Sequence, residues 1–330
     1  MLKAYVLAEG GPSPAELPPL EVLRHGETGG IGWIDLHNPD KGEEAAAEAF
    51  LGGLIPTQEE LNEIEFSSRF YVEDDIVIMT ASILVGIDQG TPGLTPFSFA
   101  VAPNKLVTLR YADMTAFKQF MQRSMKASSG CTTATGVFAA LMEAFIDRSA
   151  DVLERIAQSV DHLNSEIFDQ RARRRQRNRR LAGAISGLGV QGDLASKTRE
   201  SLASLERLVQ YAAAMVPDPP KSKGTFSARL KLMLRDIRSL EDHANFVMNK
   251  ITFLLDATLG LISTEQNKVI SVLTIVSTVL LPPTLIGAIY GMNFEFMPEL
   301  KWHLGYPAAL GAMVLSAVLP YLYFKWRDWL

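Results

Sequence analysis

Asn267, Ile270, Thr274, Ser277, Leu281, Thr284 and Ala288 recur at alternating steps of three and four near the C-terminus. That spacing puts them on one side of a helix. The face mixes neutral oxygens with aliphatic and small side chains, and the segment around it holds no carboxylate. Amide and hydroxyl oxygens accept hydrogen bonds from water. They suit a small divalent cation that keeps its hydration shell and cannot strip that shell as charged ligands do. Ile270, Leu273 and Leu281 offer an aliphatic constriction of the kind that gates by dewetting. Simple helix packing fits the same spacing, because Ser and Thr in lipid can bond to their own backbone carbonyls; spacing alone leaves the two readings open. Just beyond lie Tyr290-Gly291-Met292-Asn293 and two carboxylates, Glu295 and Glu299. Acidic rings at a mouth concentrate cations by focusing; a solvated loop is the alternative. Gly291 is expected to adopt the positive φ common at helix C-termini.

Two apolar segments must position these residues. Val269 to Tyr290 is 22 residues without a charge and Leu304 to Phe324 is 21. At ~1.5 Å per residue each can cross a hydrocarbon core of ~30 Å. Tyr290, Trp302 and Tyr306 flank the connecting loop, and Tyr321, Tyr323, Trp326 and Trp329 the far end, as interface belts do. Lys268 precedes the first span, and Lys325 and Arg327 follow the second. The positive-inside bias therefore predicts both termini in the cytoplasm and a short external loop. Two helices cannot enclose a polar path, so conduction requires several subunits around an axis.

The remaining four-fifths of the chain reads as cytoplasmic. Strands are predicted at Lys3–Leu7, Gly32–Leu36, Ile76–Val85, Pro96–Ala102 and Lys105–Arg110, bounded by Gly, Pro and Asn-Pro turn signals. Helices are predicted at Gly42–Leu51 and Thr57–Phe66, the second opened by a capping box from Thr57 to Glu60. Helical pattern then runs from Met114 to Met215, with Gly183, Gly187, Gly189 and Gly192 read as a break between two long helices. From Thr225 there is no Gly or Pro until Gly260. Phe226, Leu230, Met233, Ile237, Leu240, Ala244, Val247, Ile251 and Leu254 form a heptad-type seam; such a helix packs lengthwise against others. It continues into the first span, giving one helix from about Thr225 to Tyr290, with Pro282-Pro283 as a kink. The expected organisation is thus 1–112, an α/β region; 113–220, a helical hairpin; 221–268, a stalk helix; 269–290, the first span; 291–303, the external loop; 304–324, the second span; and 325–330, a basic tail.

The run Tyr290-Gly291-Met292-Asn293-Phe294-Glu295-Phe296-Met297-Pro298-Glu299-Leu300 resembles the CorA family of magnesium transporters, whose hallmark is Gly-Met-Asn closing the first of two C-terminal spans. The resemblance extends through Lys301-Trp302, Gly305-Tyr306-Pro307 and Tyr323-Phe324-Lys325, and upstream through Glu265-Gln266-Asn267. It is strongest over residues 235–330 and fainter at Trp33-Ile34-Asp35-Leu36 and Leu106 to Arg110. It implies an α+β cytoplasmic domain (αβα, mixed sheet) joined by a very long helix to two transmembrane helices, assembled as a funnel-shaped homopentamer. It implies a magnesium channel, with Co²⁺ or Ni²⁺ also admitted, in a bacterial inner membrane and gated by internal Mg²⁺. Asn293 then belongs to an outer ring binding hydrated Mg²⁺, presented by Gly291 and Met292. Asn267 lines the inner mouth, Thr284 forms a further polar ring, and Ile270, Leu273 and Leu281 match gate positions. Ser277 stands where the family can carry a small apolar residue. Asp88, Asp236 and Asp256 are the candidates for regulatory carboxylates between subunits.

Other features set bounds. Arg171 to Arg180 holds seven arginines in ten residues, resembling an anionic-lipid or nucleic-acid patch but read as a solvated hairpin tip. A net charge of -5 argues against nucleic-acid binding as the main role. Cys131, the single cysteine, excludes an intramolecular disulfide and a Cys-based zinc cluster. Five histidines lack paired metal spacing, and no phosphate loop or nucleophile motif points to an enzyme. The rival readings are a zinc transporter similar to ZntB, which tends to depart from Gly-Met-Asn and Met-Pro-Glu-Leu, and a non-conducting membrane-tethered sensor or nucleic-acid-binding protein.

Overall fold

A computed structural model describes residues 1–8, 11–25, 28–62, 65–124, 131–169, 174–218, 224–292, 297–298 and 302–327. The chain forms two compact units. The first comprises Met1–Arg171 and Ala182–Leu254, and the second Ala172–Leu181 with Leu255–Leu330.

A seven-stranded mixed sheet organises the first unit. Its strands are β1 (Leu2–Ala8), β2 (Gly11–Ala15), β3 (Ile31–His37), β4 (Phe70–Glu73), β5 (Ile76–Val85), β6 (Gly93–Ala102) and β7 (Lys105–Arg110), in the order β2-β1-β3-β7-β6-β5-β4. Among the described residues only the β3–β7 pair is parallel. The five central strands are those expected. The two edge strands escaped prediction. β2 is Gly-Pro-Ser-Pro-Ala, and proline removes ladder donors, which only an edge tolerates; β4 is four residues long.

Alternation along the strands feeds two cores. On one face Ile34, Leu36, Ile78, Val107 and Leu109 meet Ala47, Phe50 and Leu51 of α2 (Lys41–Leu51) and Leu61 of α3 (Gln58–Asn62). α3 begins at the predicted capping box: Glu60 N–H donates to Thr57 Oγ1 at 3.3 Å, and Thr57 N–H to Glu60 Oε2 at 2.8 Å. On the other face Trp33, Phe97 and Phe99 pack edge-on or tilted against Phe117 and Phe120 of α5 (Thr115–Ser124) and Phe138 and Phe145 of α6 (Ala134–Phe168).

A charged pair sits inside that second core. Arg110 Nη2 donates to Asp35 Oδ2 at 3.1 Å, Thr108 Oγ1 donates to Asp35 Oδ1 at 2.9 Å, and Trp33 Nε1 donates to Thr108 at 3.1 Å. The guanidinium carbon lies 4.2 Å from the Phe117 ring centroid. Burial, with Asp35 adding to it, pushes the Tyr5 hydroxyl up to about 12. Every member is satisfied, as a buried ionic network requires. β3 and β7 pair in register, Asp35 opposite Thr108, and a one-residue slip of β3 would put Asp35 on the face opposite Arg110.

Three long helices complete the layer. α7 (Arg174–Met215) runs antiparallel to both α6 and the first half of α8 (Thr225–Tyr290). Gly187 faces Leu163 of α6, while Gly192 faces Ile251 and Glu206 bonds Arg238 of α8. The glycines expected to break this stretch lie inside one continuous helix of 42 residues. Glycine costs ~1 kcal/mol in a helix interior, and packing supplies the compensation here. A Cβ on Gly187 would stand 3.1 Å from Leu163 Cδ2, so glycine lets α7 approach α6 closely. α6 ends at Phe168 and α7 begins at Arg174.

Candidate ion pathway

α8 is a single helix of 66 residues, on the order of 100 Å at ~1.5 Å per residue. Its bounds are those expected. Within the first unit its seam is buried: Phe226, Leu230, Met233, Ile237, Ala244, Val247, Ile251 and Leu254 are all in the core. Leu240, the ninth seam position, is half-buried.

In the second unit the same helix presents apolar side chains that none of the described residues covers. Ile270 is 61%, Leu273 66% and Leu281 63% exposed. Asn267, Thr274, Ser277, Thr284 and Ala288 are exposed as well, so the whole predicted face is uncovered. The covered side is different: Ile275 is buried, and Gly287 lies against Met313 of α9 (Gly305–Trp326), where a Cβ would sit 3.3 Å from Met313 Cε. Leu310, Val314, Leu315, Val318 and Leu319 of α9 are exposed too. α8 and α9 are each long and apolar enough to cross a membrane. Contiguous apolar surface on this scale marks a lipid-facing or subunit-facing region.

The hydroxyls on α8 turn back to their own helix. Ser271 donates to Asn267 O at 2.9 Å, Thr274 to Ile270 O at 2.9 Å, Thr278 to Thr274 O at 2.8 Å and Thr284 to Leu281 O at 2.8 Å. Each hydroxyl proton is thereby satisfied without a partner helix, while the oxygen lone pairs remain as acceptors. Such oxygens can accept hydrogen bonds from water. Pro282 and Pro283 carry no N–H, so the carbonyls of Thr278 and Val279 lose their helical donors, and α8 still continues to Tyr290.

At the end of α8, Gly291 N–H donates to Gly287 O at 3.0 Å and Met292 N–H to Ile289 O at 3.2 Å. Gly291 does not take the expected positive φ. Glycine eases a close approach instead, since a Cβ there would stand 3.1 Å from Gly287 O and the turn would have to give by a few tenths of an ångström. Asn293, Glu295 and Glu299 lie outside the described residues.

The three regulatory candidates are not brought together into one site. Asp88, in the β5–β6 connection, accepts from Arg148 at 2.7 Å, Thr115 at 3.1 Å and Arg155 at 3.4 Å. These bonds, Arg148's foremost, hold its carboxyl below the usual range. Asp236 is exposed beside Asp147, whose carboxyl is pushed up by desolvation and by Glu143, Asp151 and Asp236, against the pull of Arg123. Asp256 is exposed on α8. Among the described residues, no group of three or more His, Cys, Asp or Glu could hold a metal within one chain. Sequence reading missed the two arginines on Asp88 because they lie 60 and 67 residues away; their spacing of seven on α6 was the available signal.

Comparison with known proteins decides the family. The pattern of the CorA-like Mg2+ transporter protein family matches residues 28–326. The chain belongs to the CorA family. The magnesium transport protein CorA of Escherichia coli (strain K12) is 34% identical over 298 residues, covering 90% of this chain and 92% of that protein. The complete CorA magnesium transporter structure from Methanocaldococcus jannaschii shares the fold, with a TM-score of 0.75 at 16% identity over 100% of this chain and 99% of that one. The cytoplasmic domain of ZntB from Vibrio parahaemolyticus is a more distant fold relative, with a TM-score of 0.54 at 7% identity over 79% of this chain and 98% of that one. This CorA-family chain therefore pairs an α+β domain with two C-terminal apolar helices, as expected.

Proposed function

We propose that this protein is a magnesium channel, a homopentamer in a bacterial inner membrane with both termini cytoplasmic, passing hydrated Mg²⁺ inward. The observation that carries the reading is the uncovered face from Asn267 to Ala288, whose neutral oxygens and aliphatic layers lead to Gly291-Met292-Asn293. Copies arranged with that face inward would bury it and enclose a polar path. With no carboxylate in either span, the ion keeps its water. Asn293 holds the hydrated ion at the outer mouth, Glu295 and Glu299 concentrate cations there, and Ile270, Leu273 and Leu281 close the path by drying it. An inside-negative potential contributes ~2.3 kcal/mol per charge per 100 mV, which alone drives divalent entry. Co²⁺ and Ni²⁺, of similar size and hydration, follow the same route.

Regulation by internal Mg²⁺ is part of the proposal, and its ligands must then come from more than one subunit. Asp236, beside the carboxylates of α6, is the best placed of the three candidates. Asp88 is engaged by arginines of its own chain, and Asp256 is a solvated alternative.

Uptake of Mg²⁺ into proteoliposomes under an inside-negative potential tests the conduction reading. Wild type should take up Mg²⁺ without a proton gradient, and Asn293→Ala should abolish uptake. Unchanged uptake in the variant, or uptake of Zn²⁺ in preference to Mg²⁺, would sink it. Conduction indifferent to internal Mg²⁺ would sink the regulatory part alone.

A further inference from the structure

The buried network of Asp35, Arg110, Thr108 and Trp33 is satisfied, and the tyrosine beside it is not. Tyr5 is 4% exposed and stacks on Trp33, with ring centroids 4.5 Å apart. Its hydroxyl has no hydrogen-bond partner among the described residues, although Asp35 and Arg110 both act on it electrostatically. Buried polar groups are nearly all hydrogen-bonded, so a hydroxyl of this kind marks a place where something polar binds. Tyr5 lines an open cleft of about 850 Å³ that lies wholly within the first compact unit. Lys3 stands opposite Asp35 and Tyr5 opposite Trp33 in the β1–β3 ladder, so these four side chains share one face of the sheet. Arg110 spends Nε–H and one Nη2–H on Asp35 and one Nη1–H on the Ala112 carbonyl, which leaves both Nη atoms an N–H to spare.

We infer that this cleft binds a small organic carboxylate, whose oxygens accept from the Tyr5 hydroxyl and from Arg110, with Lys3 balancing its charge and an apolar body resting on Leu17, Phe117 and Met121. The charges of the lining select that class. Lys3, Arg110 and Lys118 line the cleft with two carboxylates, Asp35 and Asp113. Arg110 bonds Asp35, and Lys118 bonds Asp113 at 2.9 Å. A metal cation therefore meets carboxylates that are already engaged. Lys3 is exposed and makes no ion pair among the described residues, so the cleft carries a surplus of one positive charge. Burial, and after it Arg110, lowers the pKa of His37, which keeps that ring neutral at pH 7. A single surplus charge matches a monoanion, while a doubly charged phosphate would be repelled by Asp35 and Asp113. The guanidinium edge fits a planar carboxylate. A mostly apolar cleft with a few convergent polar groups is the form that small-molecule sites take.

The test uses the full chain in detergent micelles. Benzoate is the probe, and benzamide and benzamidine are its neutral and cationic counterparts. Binding is titrated by saturation-transfer NMR. Benzoate should bind with a Kd of about 1 mM, the strength of a fragment of its size at ordinary efficiency. It should bind about tenfold more tightly than either counterpart, as a charge-assisted hydrogen bond allows. Tyr5→Phe removes the hydroxyl and little else. It should weaken benzoate about tenfold and leave the ligand-free melting temperature unchanged or higher, because that hydroxyl has no partner in the fold. Lys3→Gln should weaken benzoate about two- to fivefold, the range for an exposed charge. Arg110 stays in place, because its pair with Asp35 belongs to the core. Equal benzoate affinity in wild type and Tyr5→Phe overturns the proposal, and it is also the result expected if benzoate only partitions into the micelle. Benzamidine binding as tightly as benzoate overturns it too. Inorganic phosphate that displaces benzoate at equal concentration overturns the carboxylate assignment. A lower melting temperature for Tyr5→Phe with no change in benzoate affinity assigns the hydroxyl to the fold through bound water, and so overturns the site. If Tyr5→Phe does not assemble, Lys3→Gln decides: unchanged benzoate affinity there overturns the site. None of these readings involves ion flux, so the site stands or falls apart from the channel reading.

Discussion

The two halves of α8 are built from similar residues and end in opposite situations. From Phe226 to Leu254 the apolar seam is buried by α6 and α7, and ion pairs tie the helix surface to its neighbours: Arg229 to Glu143 at 2.6 Å, Arg238 to Glu206 at 2.9 Å, and Lys250 to Asp161. From Val269 to Tyr290 most apolar residues are exposed, Ile275 being the buried exception, and hydroxyls bond to their own backbone. The first half is complete within one chain. The second, on the reading proposed above, would be completed by lipid and by further copies of the chain. Substitutions should therefore change stability in one half and conduction in the other.

The largest effect tests that division directly. Leu230 is fully buried, and Leu230→Ala should destabilise the cytoplasmic unit by ~3–4 kcal/mol, from lost transfer energy plus a cavity. Chemical denaturation followed by the Trp33 fluorescence would measure it. Leu281→Ala removes a side chain of the same size from an exposed position. It should leave the denaturation midpoint in place and raise Mg²⁺ uptake in the presence of internal Mg²⁺, because a smaller ring dries less readily. A stability loss at Leu281 equal to that at Leu230 would erase the distinction.

Next in size is the Arg229–Glu143 pair, half-buried at both ends. Both guanidinium bonds, from Nε and from Nη2, are 2.6 Å. Arg229→Ala strands a carboxylate beside a helix packed against its neighbours. The expected cost is ~1–2 kcal/mol, reduced by solvent screening at that exposure. Denaturation of Arg229→Ala, Glu143→Ala and the double variant should show the double variant costing less than the sum of the single costs. Additive costs would mean that the pair contributes nothing.

The same contrast explains what could be read without coordinates. Periodicity is local, so α8, α9 and the five central strands were legible, as was the capping box at Thr57. Burial by neighbours is not local. The glycines of α7 look like a break until Leu163 and Ile251 are known to lie against them. β2 looks like a loop until it is known to be an edge. Gly291 is a helix-end glycine by position, yet its reason is the Gly287 carbonyl one turn back. The exposed face from Asn267 to Ala288 was legible because a single helix carries it. The surroundings of Asp88 were not, since its partners come from α5 and α6.

Asp88 yields the smallest effect and the finest distinction. Its carboxyl lies below the usual range because Arg148 bonds it, with Thr115 and Arg155 assisting. A depressed carboxylate stabilises the fold above its unfolded pKa of ~3.9, and that contribution is lost as pH falls through the lower folded value. Asp88→Asn should therefore cost stability at neutral pH, begin to converge with wild type as pH falls below about 4, and match it only below the lower folded value. The side chain is 48% exposed, so the cost at neutral pH should be at most ~1 kcal/mol. Thermal melts at pH 7 and at pH 3.5 would show it. If Asp88 served instead as a metal ligand between subunits, the substitution would leave the acid limb of stability unchanged and shift the internal Mg²⁺ concentration that closes the channel. A structural latch moves the first reading and a regulatory ligand the second, so one variant measured both ways assigns the residue to the half of the molecule that folds alone or to the half that needs its neighbours.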